Sequence, residues 1–215
     1  MKLPRLASVA ATFTALVGLV LGGAGTAAAQ EAAATSYVAL GDSYSSGVGA
    51  GNYDSNSGSC KRSYNAYPVL WKNANSPSSF HFTACSGATT TDVINNQLGP
   101  LNTGTTLVSI SVGGNDAGFS DVMTACVTQG EKACLARVAE ARRYVSDVLP
   151  ARLDAVYNAI RSKAPNARVV VLNYPRFYKL NGYCSVGLSE TSRAAINDAA
   201  DHLSDTTAKR VANHG

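Results

Sequence analysis

Residues 36–43 read SYVALGDS, and this stretch decides the fold. The short apolar run from Ser36 to Leu40 stops at Gly41, as a buried strand stops at a turn, and the polar pair Asp42-Ser43 follows. Three later stretches repeat a short apolar run before a turn: residues 80–85 (FHFTAC), 107–112 (LVSISV) and 168–172 (RVVVL). Their lengths near five residues and their β-branched side chains predict four strands.

Helical periodicity fills much of the remaining sequence. Apolar side chains recur every three, four or seven residues from Leu135 to Ile160, and Pro150 should kink this stretch or open a second helix. A second periodic segment runs from Thr191 to Asn213, and Gly215 would suit its end. Strands that alternate with helices predict one α/β domain, at residues 36–215, with a parallel sheet covered on both faces.

The first 29 residues have the pattern of an export signal. Lys2 and Arg5 precede an uncharged, largely apolar stretch, and Ala27-Ala28-Ala29 supplies an A-x-A cleavage site. A membrane anchor is the alternative, but the strongly apolar core, residues 13–21, is too short to span about 30 Å of hydrocarbon. We predict cleavage after residue 29, or at the second A-x-A of residues 32–34, and a secreted protein without a stable membrane anchor.

The composition excludes two classes of protein. The chain is 46% hydrophobic and 15% charged, which is too apolar for a disordered protein. The formal charge is +4, and it falls to +2 when Lys2 and Arg5 leave with the signal peptide. This balance lacks the basic surface of a nucleic-acid binder, so we expect no nucleic-acid partner. Nothing in the sequence specifies an oligomer, and we expect a monomer.

The sequence contains five cysteines, at positions 60, 85, 126, 134 and 184. In an exported protein, disulfides are the expected state of cysteine. A C-x-x-C pair or a Cys/His cluster is absent, which argues against a zinc site. Because five is odd, one cysteine must be free, bonded to another chain, or bonded to a partner outside this sequence.

Glycines and polar residues follow three of the predicted strands, where open parallel sheets form their sites. Ser43 follows the first strand, Gly87 the second and Asn115 the third. A serine that starts a helix can act as a nucleophile, helped by the helix dipole. A glycine N–H, an asparagine amide and the N–H of the serine itself can hold one oxyanion. Taken singly, these segments also fit an N-cap and two turns, but their order at successive strand ends favours catalysis.

Three segments of the sequence then resemble the SGNH, or GDSL, hydrolase family: GDSYS (41–45), ACSGA (84–88) and GGNDAG (113–118). Two longer stretches, GVGAGNYDSNSGSCKRS and VVVLNYPRFYKL, are similar to the secreted lipases and esterases of Streptomyces. The resemblance extends from about Tyr37 to the end of the sequence.

This resemblance implies a flavodoxin-like three-layer α/β/α sandwich that hydrolyses acyl esters without a metal or cofactor. It implies that Ser43 is the nucleophile and that Gly87 and Asn115 are oxyanion donors. It also implies disulfides between Cys60 and Cys85 and between Cys126 and Cys134. The implied substrates are acyl glycerides and simple fatty-acyl esters, with phospholipids among them. Carbohydrate acetyl esters, which the same family also cleaves, are the alternative.

The family pattern also requires a histidine base after a fifth strand. The three histidines of this sequence stand elsewhere, His81 in the second predicted strand and His202 and His214 in the last helix. We therefore expect the domain to continue beyond Gly215, lacking here its last strand, the catalytic histidine and the partner of Cys184. The alternative is a catalytically inactive domain of the same fold that binds acylated ligands or glycans.

Overall fold

The computed structural model describes residues 34–182 and 187–214. The expected signal peptide, Cys184 and Gly215 lie outside these residues. Four strands form one parallel sheet in the order β2-β1-β3-β4. Their bounds are β1 (Ser36–Ala39), β2 (Ser79–Phe82), β3 (Leu107–Ile110) and β4 (Arg168–Val171). The α/β fold with a parallel sheet, predicted from the sequence, is confirmed.

The strands lie where the sequence predicts them, but each ends earlier. β2 differs most, since it ends at Phe82 and not at Cys85. The N–H groups of Thr83 and Ala84 both donate to the carbonyl of Ala39, at 2.9 and 3.2 Å. Two successive amides on one acceptor cannot continue a parallel ladder, so the chain leaves the sheet here. The cysteine therefore belongs to the loop that follows β2.

The described helices are α1 (Ser43–Ser46), α2 (Tyr67–Asn75), α3 (Thr90–Asn96), α4 (Phe119–Thr128), α5 (Glu131–Asp147), α6 (Leu149–Lys163) and α7 (Glu190–Ala212). A 3₁₀ segment covers Ser55–Cys60. Pro150 lies in the first turn of α6, where a missing N–H costs nothing, so the predicted periodic stretch is two helices. α7 begins and ends one residue before the predicted segment.

The two faces of the sheet carry different chemistry. Alternate residues on one face, Val38 and Val108 among them, join the apolar core formed with α3 and the helices from α4 to α7. On the opposite face, the ring of Tyr37 packs edge-on against Trp71 of α2, with centroids 4.9 Å apart. The hydroxyl of Tyr37 also bonds Ser109 Oγ at 2.7 Å. Helices therefore flank the sheet on both faces, and the face toward α2 is partly polar.

Candidate active site

The loops after β1, β2 and β3 meet at the carboxyl edge of the sheet. Asp42 N–H donates to the carbonyl of Ser111, at 3.0 Å, just beyond β3. Cys85 N–H donates to the carbonyl of Gly41 at 2.9 Å, which ties the loop after β2 to the loop after β1. The three loops that the sequence singles out are thus joined by backbone hydrogen bonds, as expected for parallel strands.

Gly41 makes the sharp exit from β1 possible. Its φ is +122°, and a Cβ at this position would lie 2.6 Å from both the Ser111 carbonyl oxygen and Ser45 Oγ. Its N–H donates to Gln97 Oε1 at 2.7 Å, and Gln97 Nε2 donates to the Gly41 carbonyl at 2.9 Å. Gln97 is itself buried. Only glycine fits this conformation and this space.

Ser43 is the first residue of α1, directly after its N-cap Asp42. The Asp42 carboxylate accepts a hydrogen bond from Tyr44 N–H at 3.0 Å and so fixes the turn. Within the described residues, neither Ser43 Oγ nor Ser43 N–H has a hydrogen-bond partner. α1 has only four residues, so the helix dipole expected to assist the serine is weak, and the free N–H is the stronger feature.

Gly87 lies in an exposed loop that a disulfide holds. The bond joins Cys60 to Cys85, and Ser86 N–H donates to the Cys60 carbonyl at 3.0 Å. Gly87 has a φ of +82°, which favours glycine, and its N–H has no acceptor among the described residues. A free N–H in a fixed loop is a suitable donor for an anion. The other disulfide implied by the resemblance, Cys126–Cys134, also forms.

Asn115 follows β3 and reaches the loop that carries Gly87. Its side-chain Nδ2 donates to the carbonyl of Ala88 at 2.9 Å. An amide nitrogen carries two hydrogens, so one remains for a ligand. The next residue, Asp116, accepts from Thr90 N–H at 2.9 Å and from Thr90 Oγ1 at 2.5 Å. Adjacent residues after β3 therefore hold both the loop after β2 and the start of α3.

Ser43 and Asn115 both line an apolar groove of about 680 Å³, its open mouth included. Its walls are formed mainly by apolar side chains of α4, α5, α7 and the segment after β4: Phe119, Val122, Val145, Phe177, Ile196 and Leu203. Gly87 does not line this groove. It lines a neighbouring, more polar cleft together with the Cys60–Cys85 disulfide. The structure thus brings Ser43 and Asn115 into one groove and places Gly87 in the more polar cleft beside it.

Sequence reasoning missed Tyr174, which follows β4. Its hydroxyl donates to Asp42 Oδ2, and Gly114 N–H donates to the same hydroxyl at 3.3 Å. Burial and the charge of Asp42 raise the pKa of the Tyr174 phenol well above its usual value, so the phenol stays protonated. A signal was present, because Tyr174 stands at the end of the fourth strand, as the other site residues stand at the ends of theirs.

Asp42 is a fully buried carboxylate at the centre of a hydroxyl network. Ser111 Oγ donates to its Oδ1 at 2.7 Å, and Ser45 Oγ bonds Ser111 Oγ at 2.8 Å. Burial raises the pKa of Asp42, against the hydrogen bonds from Tyr174, Ser111 and the backbone. The buried side chain therefore holds the turn before Ser43.

The GDSL-like Lipase/Acylhydrolase family model matches residues 39–213. The chain belongs to this family. It is 62% identical to a lipase of Streptomyces rimosus, with 100% of this chain and 81% of that protein covered. It is also 62% identical to Lipase 1 of Streptomyces coelicolor, covering 98% and 79%.

Two solved structures superpose closely on this GDSL-family chain. Phospholipase A1 from Streptomyces albidoflavus NA297 is 64% identical with a TM-score of 0.84, and 85% of this chain and 78% of that chain are covered. The extracellular lipase from Streptomyces rimosus is 67% identical with a TM-score of 0.83 and the same coverage. The resemblance inferred from the three sequence segments is thus confirmed at the level of family and fold.

The histidines of this GDSL-family chain lie away from the groove. His81 is exposed on β2, and His202 Nε2 bonds Ser146 Oγ at 2.9 Å between α7 and α5. His214 Nε2 contacts Asp154 Oδ1 at 3.0 Å. None of the three lines the groove with Ser43. This placement agrees with the sequence-based expectation that none of them is the family's base.

The residues that the structure describes contain no cluster of His, Cys, Asp or Glu side chains that could hold a metal ion. Among the same residues, no helix combines the length and the apolar character needed to cross a bilayer.

Proposed function

We propose that this GDSL-family protein is a secreted serine hydrolase that cleaves acyl esters of lipids. The observation that carries the proposal is the apolar groove, which is lined by both Ser43 and Asn115. A nucleophile and an oxyanion donor in the wall of an apolar groove suit an ester whose acyl chain lies along the groove. The closely similar lipases and phospholipase A1 support the same class of substrate.

The reaction proceeds through an acyl-enzyme. Ser43 Oγ attacks the ester carbonyl carbon and loses its proton to a base, while the carbonyl oxygen becomes an oxyanion. Ser43 N–H, Gly87 N–H and the free amide hydrogen of Asn115 donate to that oxygen. The tetrahedral intermediate collapses, the alcohol leaves with a proton, and an acyl ester on Ser43 remains. Water then attacks this ester and releases the carboxylic acid.

The base is a histidine in the family mechanism, and none of His81, His202 and His214 is suitably placed. The described residues that line the groove include no histidine, so none of them is that base. A non-catalytic acyl-binding domain stays the alternative that the labelling experiment below distinguishes. The apolar walls favour long acyl chains over acetyl groups in both cases, so the carbohydrate acetyl esterase is the weaker alternative.

Covalent labelling of the secreted protein tests the proposal. A long-chain fluorophosphonate should add one phosphonyl group, detected by intact mass, to the wild-type protein and to the exposed control Ser59→Ala. Ser43→Ala should remain unlabelled, and only the labelled proteins should hydrolyse p-nitrophenyl esters. An unlabelled wild-type protein that still binds fatty acid would identify the acyl-binding domain. Faster cleavage of the acetate than of the palmitate would favour the acetyl esterase.

A further inference from the structure

The hydroxyl of Tyr174 is placed between the two turns that carry the proposed nucleophile and the proposed oxyanion donor. It donates to Asp42, the residue before Ser43, and it accepts from Gly114 N–H at 3.3 Å, the residue before Asn115. One phenolic oxygen thus contacts both the residue before the proposed nucleophile and the residue before the proposed oxyanion donor. These contacts join residues 132 and 60 positions apart in the sequence.

The ring of Tyr174 is closely packed in addition to the hydrogen bonds of its hydroxyl. A Cβ on Gly114 would lie 3.3 to 3.5 Å from the ring carbons and the hydroxyl, so the ring sits directly on the glycine backbone. The ring also packs nearly at right angles to the ring of Tyr44, with centroids 5.1 Å apart. Tyr44 N–H is also the donor that Asp42 uses to cap the turn at Ser43. The side chain therefore has little freedom to shift.

We propose that Tyr174 is a positioning residue, whose hydroxyl keeps the Ser43 turn and the Asn115 turn in the mutual placement that ester cleavage requires. The inference rests on the proposed function for its catalytic consequence. Tyr174 does not act on the substrate through its hydroxyl, which is already used by Asp42 and Gly114. Loss of the hydroxyl would free each turn separately, and a misplacement of about 1 Å can lower turnover by roughly 10²-fold.

Tyr174→Phe tests this inference, because it removes the hydroxyl and keeps the ring that packs on Gly114 and Tyr44. Tyr157→Phe is the matched control. The hydroxyl of Tyr157 is buried in α6 and has no hydrogen-bond partner among the described residues, so its removal breaks no contact of this kind. Both variants should have melting temperatures close to that of the wild-type protein before they are compared.

Two measurements decide the outcome. In Tyr174→Phe, amide hydrogen exchange at Gly114 and Tyr44 should become faster, and kcat on a p-nitrophenyl ester should fall between tenfold and roughly 10²-fold while KM changes by no more than about twofold. Tyr157→Phe should change neither the amide exchange rates nor kcat. Unchanged exchange at both amides would overturn the proposal, as would faster exchange with unchanged kcat.

The proposed function can fail separately from this inference. If the wild-type protein hydrolyses no ester and resists phosphonylation, the hydrolase proposal fails. Amide exchange in the same two variants then still decides whether the Tyr174 hydroxyl holds the two turns, and unchanged exchange would overturn that statement too.

Discussion

The side-chain amide of Asn115 donates to the carbonyl oxygen of Ala88 at 2.9 Å. Ala88 is the neighbour of Gly87, so the bond connects the two loops that carry proposed oxyanion donors. Because one amide hydrogen is fixed on Ala88, the plane of the amide is fixed, and the second hydrogen has a defined direction before any substrate binds. A donor oriented in advance needs no reorganisation when the oxyanion forms.

Replacing Asn115 should therefore lower turnover more than it weakens substrate binding. We expect Asn115→Ala to lower kcat by about 10²–10³-fold, since one oxyanion donor is lost. Asn115→Asp, which keeps the shape but offers no N–H, should be as severe. Steady-state kinetics on a p-nitrophenyl ester measures the effect, with the exposed Asn95→Ala as the control. A kcat within about threefold of the wild-type value in both Asn115 variants would remove this residue from the oxyanion hole.

Sequence reasoning succeeded where local signals and the fold agree. A short apolar run followed by glycine gave β1 and β3, and the rule that sites form beyond parallel strands directed attention to Ser43, Gly87 and Asn115. These residues lie at or beside strand ends, so their approximate placement follows from the order of elements alone. The sequence predicts too late an end for β2, because apolar residues continue into the loop after it.

The remaining part of the site depends on contacts between distant residues. Gln97 and Gly41 are 56 positions apart, and Tyr174 and Asp42 are 132 apart. A single buried glutamine or tyrosine forms no periodic pattern, so the local sequence does not indicate which distant residue it contacts. Ser109 and Ser111 show the same limit, because their hydroxyls look like interruptions of a strand until α2 and Asp42 supply their partners.

Burial of Asp42 should make stability depend on pH in a defined direction. Burial raises the pKa of this carboxyl in the folded state above the unfolded value of about 3.9, so folding favours its protonated form. The resulting stability is present below pH ~4 and is lost as pH rises through the raised pKa. Asp42→Asn has no charge to bury, so its stability should not show this dependence on pH.

Urea unfolding at a series of pH values measures this effect. The free energy of unfolding of the wild-type protein should fall, relative to that of Asp42→Asn, as pH rises from about 4 toward neutrality. The exposed Asp205→Asn controls for the loss of one charge. A difference between wild type and Asp42→Asn that stays constant over this range would contradict a raised pKa.

The two disulfides among the described residues should contribute unequally to stability. Cys60 and Cys85 are 25 residues apart, whereas Cys126 and Cys134 are 8 apart. Loop-closure entropy then predicts a loss of about 3.5 kcal/mol for the first pair and about 2.5 kcal/mol for the second when each is replaced by two alanines. Only the first replacement should also lower kcat, because that bond holds the loop of Gly87. Equal kcat in the two double variants would show that the loop is held by other contacts.

The groove should set the preference for acyl-chain length. Ala200 of α7 is buried and lines the groove, so Ala200→Leu places extra carbons where an acyl chain would lie. We expect the ratio of kcat/KM for p-nitrophenyl palmitate over acetate to fall by about ten- to a hundredfold, with acetate hydrolysis nearly unchanged. Ala208→Leu is the matched control, since Ala208 is exposed on the same helix two turns further on. A ratio that stays the same in Ala200→Leu and Ala208→Leu would show that the acyl chain lies outside the groove, because leucine at position 200 cannot leave that space open.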